Sequence, residues 1–574
     1  MGAHALVAGV SAVAEGSGLR RVLRGGAVNM AGAAVGAALN LALIVAVTRA
    51  FSQETAGLLF AATSVFLLAA AVANLGAPDG LVYFIARMRV LGGRGGVPRL
   101  LRLASGPAVL AACAAAVLLL VLAGPLGGAL GGGDAEVYLR LLALFLPFAV
   151  LTETALAATR AHHDMSGTVL VDKVGRPLAQ VALVGTVAVT GSAGLLALAW
   201  AGPYLPAALL AWCWLGGVLR RTAAEAARNE GGPAGAEPER PAPPRAPGTA
   251  AGAPRSAAAP GGAPVGTVPE RASPGVVSAT ETVAVEIKEN KGFSGTPGDL
   301  VAEGPVDART FWSFALPRAA AGVAQMGVQR GGVVLVALLG GLTGAAVFTA
   351  ATRIMVVGQF GTQAVLYAAQ PRFAEQLAAD DHEGVRSLYQ AGAAWLVCLL
   401  WPLYLSVLVF APEVMRLFGP DYATGVTALV VVCSGQLLAA ALGMGDVVLA
   451  MTGRTRLNLL NNVLSLAVNV LVCVALVPVA GAAGAALALV AAMLVRKVSP
   501  LWQLRSSVAL HPFHRPVAVA AASTLVWFGA LPLAVGAASG GGIAALAAAV
   551  AAGTLGHLGT VWSLRRTLAL STRR

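Results

Sequence analysis

Fourteen times along this chain, a run of about twenty residues passes with at most three charged side chains. At roughly 1.5 Å of rise per residue, a helical run of that length crosses the ~30 Å hydrocarbon layer of a bilayer. In lipid each run must satisfy its own backbone polar groups, which an α-helix does internally. Composition agrees, since 57% of the 574 residues are hydrophobic and 11% charged, with a mean hydropathy of +0.78. A water-soluble core large enough to hide that surface is excluded. The sequence therefore predicts an all-α polytopic membrane protein. Its spans lie near 27–49, 55–77, 103–123, 138–158, 168–190, 194–218, 316–339, 343–367, 389–411, 425–450, 457–478, 481–503, 517–536 and 541–563.

The net charge of +13 raises nucleic acid as a partner, but its distribution argues against one. Basic residues sit before the first span (Arg20, Arg21, Arg24) and then in alternate loops: Arg87, Arg89, Arg94, Arg99 and Arg102; Arg454 and Arg456; Arg496, Lys497, Arg505 and Arg515. The tail adds Arg565, Arg566, Arg573 and Arg574, while Asp134, Glu136, Glu413 and Asp421 fall in the intervening loops. This is the positive-inside pattern, and it places both termini in the cytoplasm. Residues 1–24 lack a basic stretch ahead of an apolar core and read as a cytoplasmic tail rather than a signal peptide. The preference for Arg over Lys in an Ala- and Gly-rich chain fits a high-GC bacterial genome, hence a bacterial plasma (inner) membrane.

The five cysteines, Cys113, Cys213, Cys398, Cys433 and Cys473, all fall in apolar runs without metal-ligand spacing. RAHHDM (Arg160–Met165) offers adjacent histidines but no third ligand, and GGRGG (Gly92–Gly96) lacks the phosphate-loop pattern. Neither a metal nor another cofactor is expected. Residues 219–310, rich in Pro, Gly and Ala, cannot bury enough surface to offset their ordering entropy and read as a disordered cytoplasmic linker. The linker divides an N-lobe of six spans (25–218) from a C-lobe of six (311–505). Two extra spans and a short tail follow (506–574). The start of the second span, from Gly57, echoes that of the eighth, from Gly344, as repeated bundles would.

One charge is out of place. AQMGVQRGGVVLVALL begins at Ala324 and carries Arg330 in the middle of the seventh span. A charge facing hydrocarbon there costs several kcal/mol, on the order of 3 or more. Arg330 precedes an outer turn near Leu342 and Arg353 follows it by about the same number of residues, so antiparallel helices hold both near mid-membrane. Gln325 and Gln329 lie one turn apart beside Arg330, and Gln359 and Gln363 do so beyond Arg353. Two readings stand: a water-filled cavity for an anionic substrate, or a structural ion pair with an internal carboxylate such as Glu153 or Asp446. Those carboxylates are also candidates for ion coupling. Asn29, Gly32, Gly36 and Asn40 share a face of the first span, and Asn458, Asn462, Ser465 and Asn469 share one on the eleventh. Such stripes serve close helix packing or contact with substrate.

Short outer loops, and the lack of any acid pair, nucleophile motif or nucleotide signature, argue against an enzyme. The second half resembles the bacterial polysaccharide or O-antigen (Wzx-type) flippases of the multidrug/oligosaccharidyl-lipid/polysaccharide exporter superfamily. The elements that carry the resemblance are FGPDY (Phe418–Tyr422), MTGRTR (Met451–Arg456), Asn469, and Pro478 followed by GAAGAA (Gly481–Ala486). The opening from Asn29, with Arg49 and Gly57, is similar to the family's start. The resemblance implies two six-helix lobes in a V around a cavity that opens alternately to either side. It implies passage of a polyprenyl-diphosphate-linked oligosaccharide to the outer leaflet, with Arg330, Arg353, Gln325, Gln329, Gln359, Asn40 and Asn469 as cavity contacts. Two departures stand out. The linker is long for the family and offers a docking segment for cytoplasmic or polysaccharide-assembly partners. Relatives carry an acid or another polar residue where Arg330 stands, so its role does not transfer from them. A peptidoglycan-precursor flippase, a drug/cation antiporter of the same superfamily and a non-transporting scaffold remain as alternatives.

Overall fold

The computed structural model describes residues 31–90, 96–131, 133–162, 164–230, 306–452, 454–539 and 543–563. The tail 1–24, Asn29, Arg94, most of the 219–310 linker and the last four arginines lie outside the described residues. Among the described residues every regular element is helical. Ten stretches are long and apolar enough to cross a membrane.

Two of those ten, Ala308–Gln363 and Arg456–Gln503, are of double length, and each folds back on itself. In the first, Gly341 takes φ 80° and ψ 169°. A Cβ on Gly332 would lie 3.3 Å from the Phe348 ring. On a straight helix the two would be about 24 Å apart. In the second, Gly481 takes φ 53°, and Gly484 lies against the Leu476 carbonyl. Only glycine adopts such angles without strain, and this is what permits so tight a reversal. The polar fifth segment (Thr168–Gly175 continuing into Arg176–Thr190) and the helix Ile543–Ser563 complete a set of fourteen segments. The sixth helix, Tyr204–Glu230, continues past residue 218, where the sequence placed the start of the linker.

Small residues set the packing. In Val97–Ala129, Ala104, Ala108, Ala112 and Ala116 recur every fourth position and are buried. Leu110 on the same helix is 72% exposed, and Val189 on the fifth segment 90%. Side chains this apolar and this open form the surface that meets lipid tails, while small residues let backbones approach within.

Within the N-lobe the Trp212 indole donates to the Leu151 carbonyl (3.1 Å), and Gln180 Nε2 to that of Trp200 (2.7 Å). The first span lies against the fifth, with Gly32 at Val169 and Gly36 at the Lys173 carbonyl. In the C-lobe, Asn461 and Gln503 exchange hydrogen bonds (3.0 and 2.8 Å) and Ser465 donates to the Ala492 carbonyl (2.7 Å). The thirteenth and fourteenth segments dock on the ninth, His382–Val409. His557 meets the Cys398 carbonyl through Nε2 (3.1 Å) and Ser523 through Nδ1 (2.9 Å). A carbonyl only accepts, so Nε2 carries the proton and Nδ1 accepts from the serine.

The lobes meet along the second span and the seventh–eighth hairpin. Gly57 sits against the Leu342 carbonyl so closely that a Cβ has no room. At the same end, Arg49 Nε and Nη2 donate to the Leu417 and Arg416 carbonyls, both at 2.9 Å. These carbonyls close the short helix Ala411–Arg416, whose negative end suits a guanidinium. Toward the other end, the helix Ala77–Val90 joins the start of the seventh span, with Tyr83 stacked on Phe314 at 4.2 Å and Phe84 tilted against Phe311 at 5.5 Å.

Gly57→Leu tests the lobe contact. Its side chain must push the Leu342 backbone away, at a cost of about 1–3 kcal/mol. A melting temperature lower by several degrees is expected in detergent; an unchanged one would mean that these helices do not touch.

Candidate functional site

Between the lobes lies a cavity of about 310 Å³. It is lined from the N-lobe by Asn40, Arg176, Gln180, Trp200 and Tyr204, and from the C-lobe by Gln329, Arg330, Thr352, Arg353 and Gln359. Among the described residues three arginines line it and no carboxylate does. Arg330 and Arg353 stand eleven and twelve residues either side of the Gly341 turn, so helical rise puts both about 17 Å from it.

The three arginines differ in their partners. Arg176 holds Asp172 through Nε (3.1 Å) and Nη2 (2.8 Å), donates from Nη1 to Tyr204 Oη (3.3 Å), and lies 4.8 Å from that ring's centre. Arg330 makes no ion pair or side-chain hydrogen bond among the described residues, and its charge acts on both Tyr204 and Arg353. Arg353 is likewise without an ion pair, and its Nε is buried with no hydrogen-bond partner. A buried donor left unmade costs about 1–3 kcal/mol, more when charged. The carboxylates that could have neutralised Arg330 are committed elsewhere. Glu153 pairs with Arg160 (3.1 Å), and Asp446 with Lys497 (3.0 Å), which also donates to the Gly443 carbonyl.

Two π turns frame the site. One, Gly327–Gly331, carries Arg330; the other, Thr168–Gly175, carries Asp172 and ends at Arg176. A π turn inserts a residue into the i→i−4 ladder and shifts the helix face that follows. Regular spacing puts Gln325 one turn from Gln329, yet only Gln329 reaches the cavity, and Gln325 is exposed outside its lining. Gln363 is also exposed outside it.

The asparagine stripes divide in use. On the first span Gly32 and Gly36 serve packing, while Asn40, whose amide donates to the Gly36 carbonyl (2.9 Å), lines the cavity. On the eleventh, Asn462 donates to the Asn458 carbonyl (3.0 Å), and Asn469 is buried within the C-lobe rather than at the cavity, its amide unpartnered. Sequence reasoning missed Arg176, Gln180, Trp200 and Tyr204. The i,i+4 acid–arginine pair Asp172/Arg176 was a readable signal inside an apolar run; the aromatic residues carried none.

No family model matches the chain, and no curated protein does. The fold is nevertheless shared with solved structures of membrane transporters. The structure described as "Lipid II flippase MurJ, inward closed conformation" aligns with a TM-score of 0.61 at 9% identity, over 95% of this chain and 100% of that one. An inward-facing multidrug resistance MATE family transporter of the MOP superfamily aligns with a TM-score of 0.53 at 15% identity, over 83% and 95%. At such identities the likeness is one of architecture.

An unpaired buried charge predicts a trade between stability and binding. Arg353→Met removes the unsatisfied group and keeps an elongated side chain, so the empty protein is expected to gain about 1–3 kcal/mol. A melting curve checks it; a clear loss of stability would mean that Arg353 has a structural partner.

Proposed function

We propose that this protein is a flippase. It moves a polyprenyl-diphosphate-linked oligosaccharide from the cytoplasmic to the outer leaflet of a bacterial plasma membrane, for assembly of cell-surface polysaccharide. The observation that carries the reading is the cavity's charge: among the described residues Arg330 and Arg353 have no counter-ion, and no carboxylate lines the wall. Guanidinium forks match phosphate oxygens in geometry and charge, and a diphosphate supplies the acceptors that Arg353 Nε lacks. The neutral polar groups of Asn40, Gln329, Gln359 and Thr352 suit sugar hydroxyls.

The basic loops put the ends of the spans near Arg99, Arg454 and Arg505 on the cytoplasmic side, where the lipid-linked sugar is made. The lobe contacts at Gly57 and Arg49 then close the outer side, and release of the substrate outward requires them to part. Of the two solved structures compared above, one is described as a lipid II flippase and the other as a multidrug resistance transporter. A cationic drug would meet two unmatched positive charges here, which disfavours the second chemistry.

The test is flipping of a labelled polyprenyl-diphosphate oligosaccharide in proteoliposomes, with lipid II as a second head group. Wild type is expected to transport, and a folded Arg330→Ala/Arg353→Ala variant to lose a hundredfold or more, as two charge-assisted contacts at about 1.5–3 kcal/mol each imply. Equal transport by both proteins would remove the arginines from the site. Transport of a cationic drug but of neither lipid would overturn the flippase reading, and transport of nothing would leave a scaffold.

A further inference from the structure

The N-lobe arginine behaves unlike the other two. Arg176 lines the same cavity as Arg330 and Arg353, yet its fork is already filled by Asp172. The Asp172 carboxylate is not part of the cavity wall and stands behind the arginine, one helical turn earlier in the Thr168–Gly175 π turn. Tyr204 stands between the lobes' charges: Arg176 donates to its hydroxyl and lies against its ring, and the Arg330 charge reaches it from the other lobe.

We infer that Arg176 is a reserve ligand for the anion that Arg330 and Arg353 attract, kept back by Asp172 until that anion arrives. The inference rests on the flippase reading for its substrate class, a diphosphate. Among the described residues the C-lobe presents two unmatched guanidinium groups to the cavity, and the N-lobe one that is matched. A diphosphate seated on Arg330 and Arg353 offers Arg176 a second set of acceptors with more negative charge than a single carboxylate. The Arg176 fork exchanges one anion for the other by rotating about its own side chain; no bond is made or broken. Because Arg176 belongs to one lobe and Arg330 with Arg353 to the other, this exchange lets a single bound anion tie the lobes together through charge on both sides. Asp172 is thus a positioning residue: it sets the affinity of the cavity without touching the substrate. The carboxylate also keeps the empty site from exposing three unmatched charges, whose mutual repulsion would push the lobes apart.

The probe is inorganic pyrophosphate, titrated calorimetrically into the full-length protein in lipid nanodiscs. Asp172→Asn is expected to tighten binding about tenfold, the low end for one charge-assisted contact. The decisive comparison is with Asp172→Asn/Arg176→Gln, which is expected to bind no tighter than Arg176→Gln alone. A mere change of field would help equally with or without Arg176, so a gain that survives in the double variant overturns the inference, as does no gain from Asp172→Asn. Arg176→Lys keeps the charge and loses the fork, and is expected to weaken binding severalfold. Should Asp172→Asn not fold, that variant decides alone, and wild-type affinity in it overturns the inference. Arg330→Ala/Arg353→Ala separates the two claims. If it abolishes binding while the Asp172 and Arg176 variants match wild type, the anion site stands and the reserve role falls. If it binds as wild type does, the site itself is wrong and the inference falls with it.

Discussion

The arrangement depends on positive charge held inside a helical bundle without a partner. Arg330 and Arg353 sit about 17 Å below the Gly341 turn by helical rise, in a cavity that no carboxylate lines. The described carboxylates that the sequence offered as partners are bound elsewhere, Glu153 by Arg160 and Asp446 by Lys497, and Asp172 is held by Arg176. A structure that already spends carboxylates on other cations could have neutralised these. Such an unsatisfied pair destabilises the empty protein, and it persists where function requires it.

The lobes make that charge useful. Each is tied internally by side chains that reach backbone carbonyls, such as Trp212 to Leu151 and Ser465 to Ala492. The contacts between them differ at the two ends: at one, the bare approach of Gly57 to Leu342 and the exposed hydrogen bonds of Arg49; toward the other, the aromatic pairs Tyr83–Phe314 and Phe84–Phe311. Exposed hydrogen bonds exchange readily with water, so the first set is the easier to part. The charged cavity lies at the same boundary between the lobes.

How much of this the sequence carried depended on the type of signal. Apolar runs of bilayer length gave fourteen segments, because hydropathy depends on composition alone. The depth of Arg330 and Arg353 followed from counting residues to a turn, read near Leu342 and found at Gly341. Counting gives a residue's face and depth but not how far the cavity extends, and Gln325, one turn from Gln329, lies outside its lining. The stripe on the eleventh span was periodic, but periodicity does not say which neighbour a face meets. Asn469 turned to the interior of its lobe and Asn40 to the cavity. Trp200 and Tyr204 were invisible for the same reason: an aromatic residue in an apolar helix has no sequence mark that separates a cavity wall from a core.

The most direct test of the central claim is a cryo-EM map of the protein in nanodiscs with a polyprenyl-diphosphate sugar. The account predicts diphosphate density between the lobes, within hydrogen-bond reach of Arg330 and of Arg353 Nε, with the lipid tail leaving toward the membrane. Diphosphate density at the bilayer surface, with water alone between Arg330 and Arg353, would contradict it.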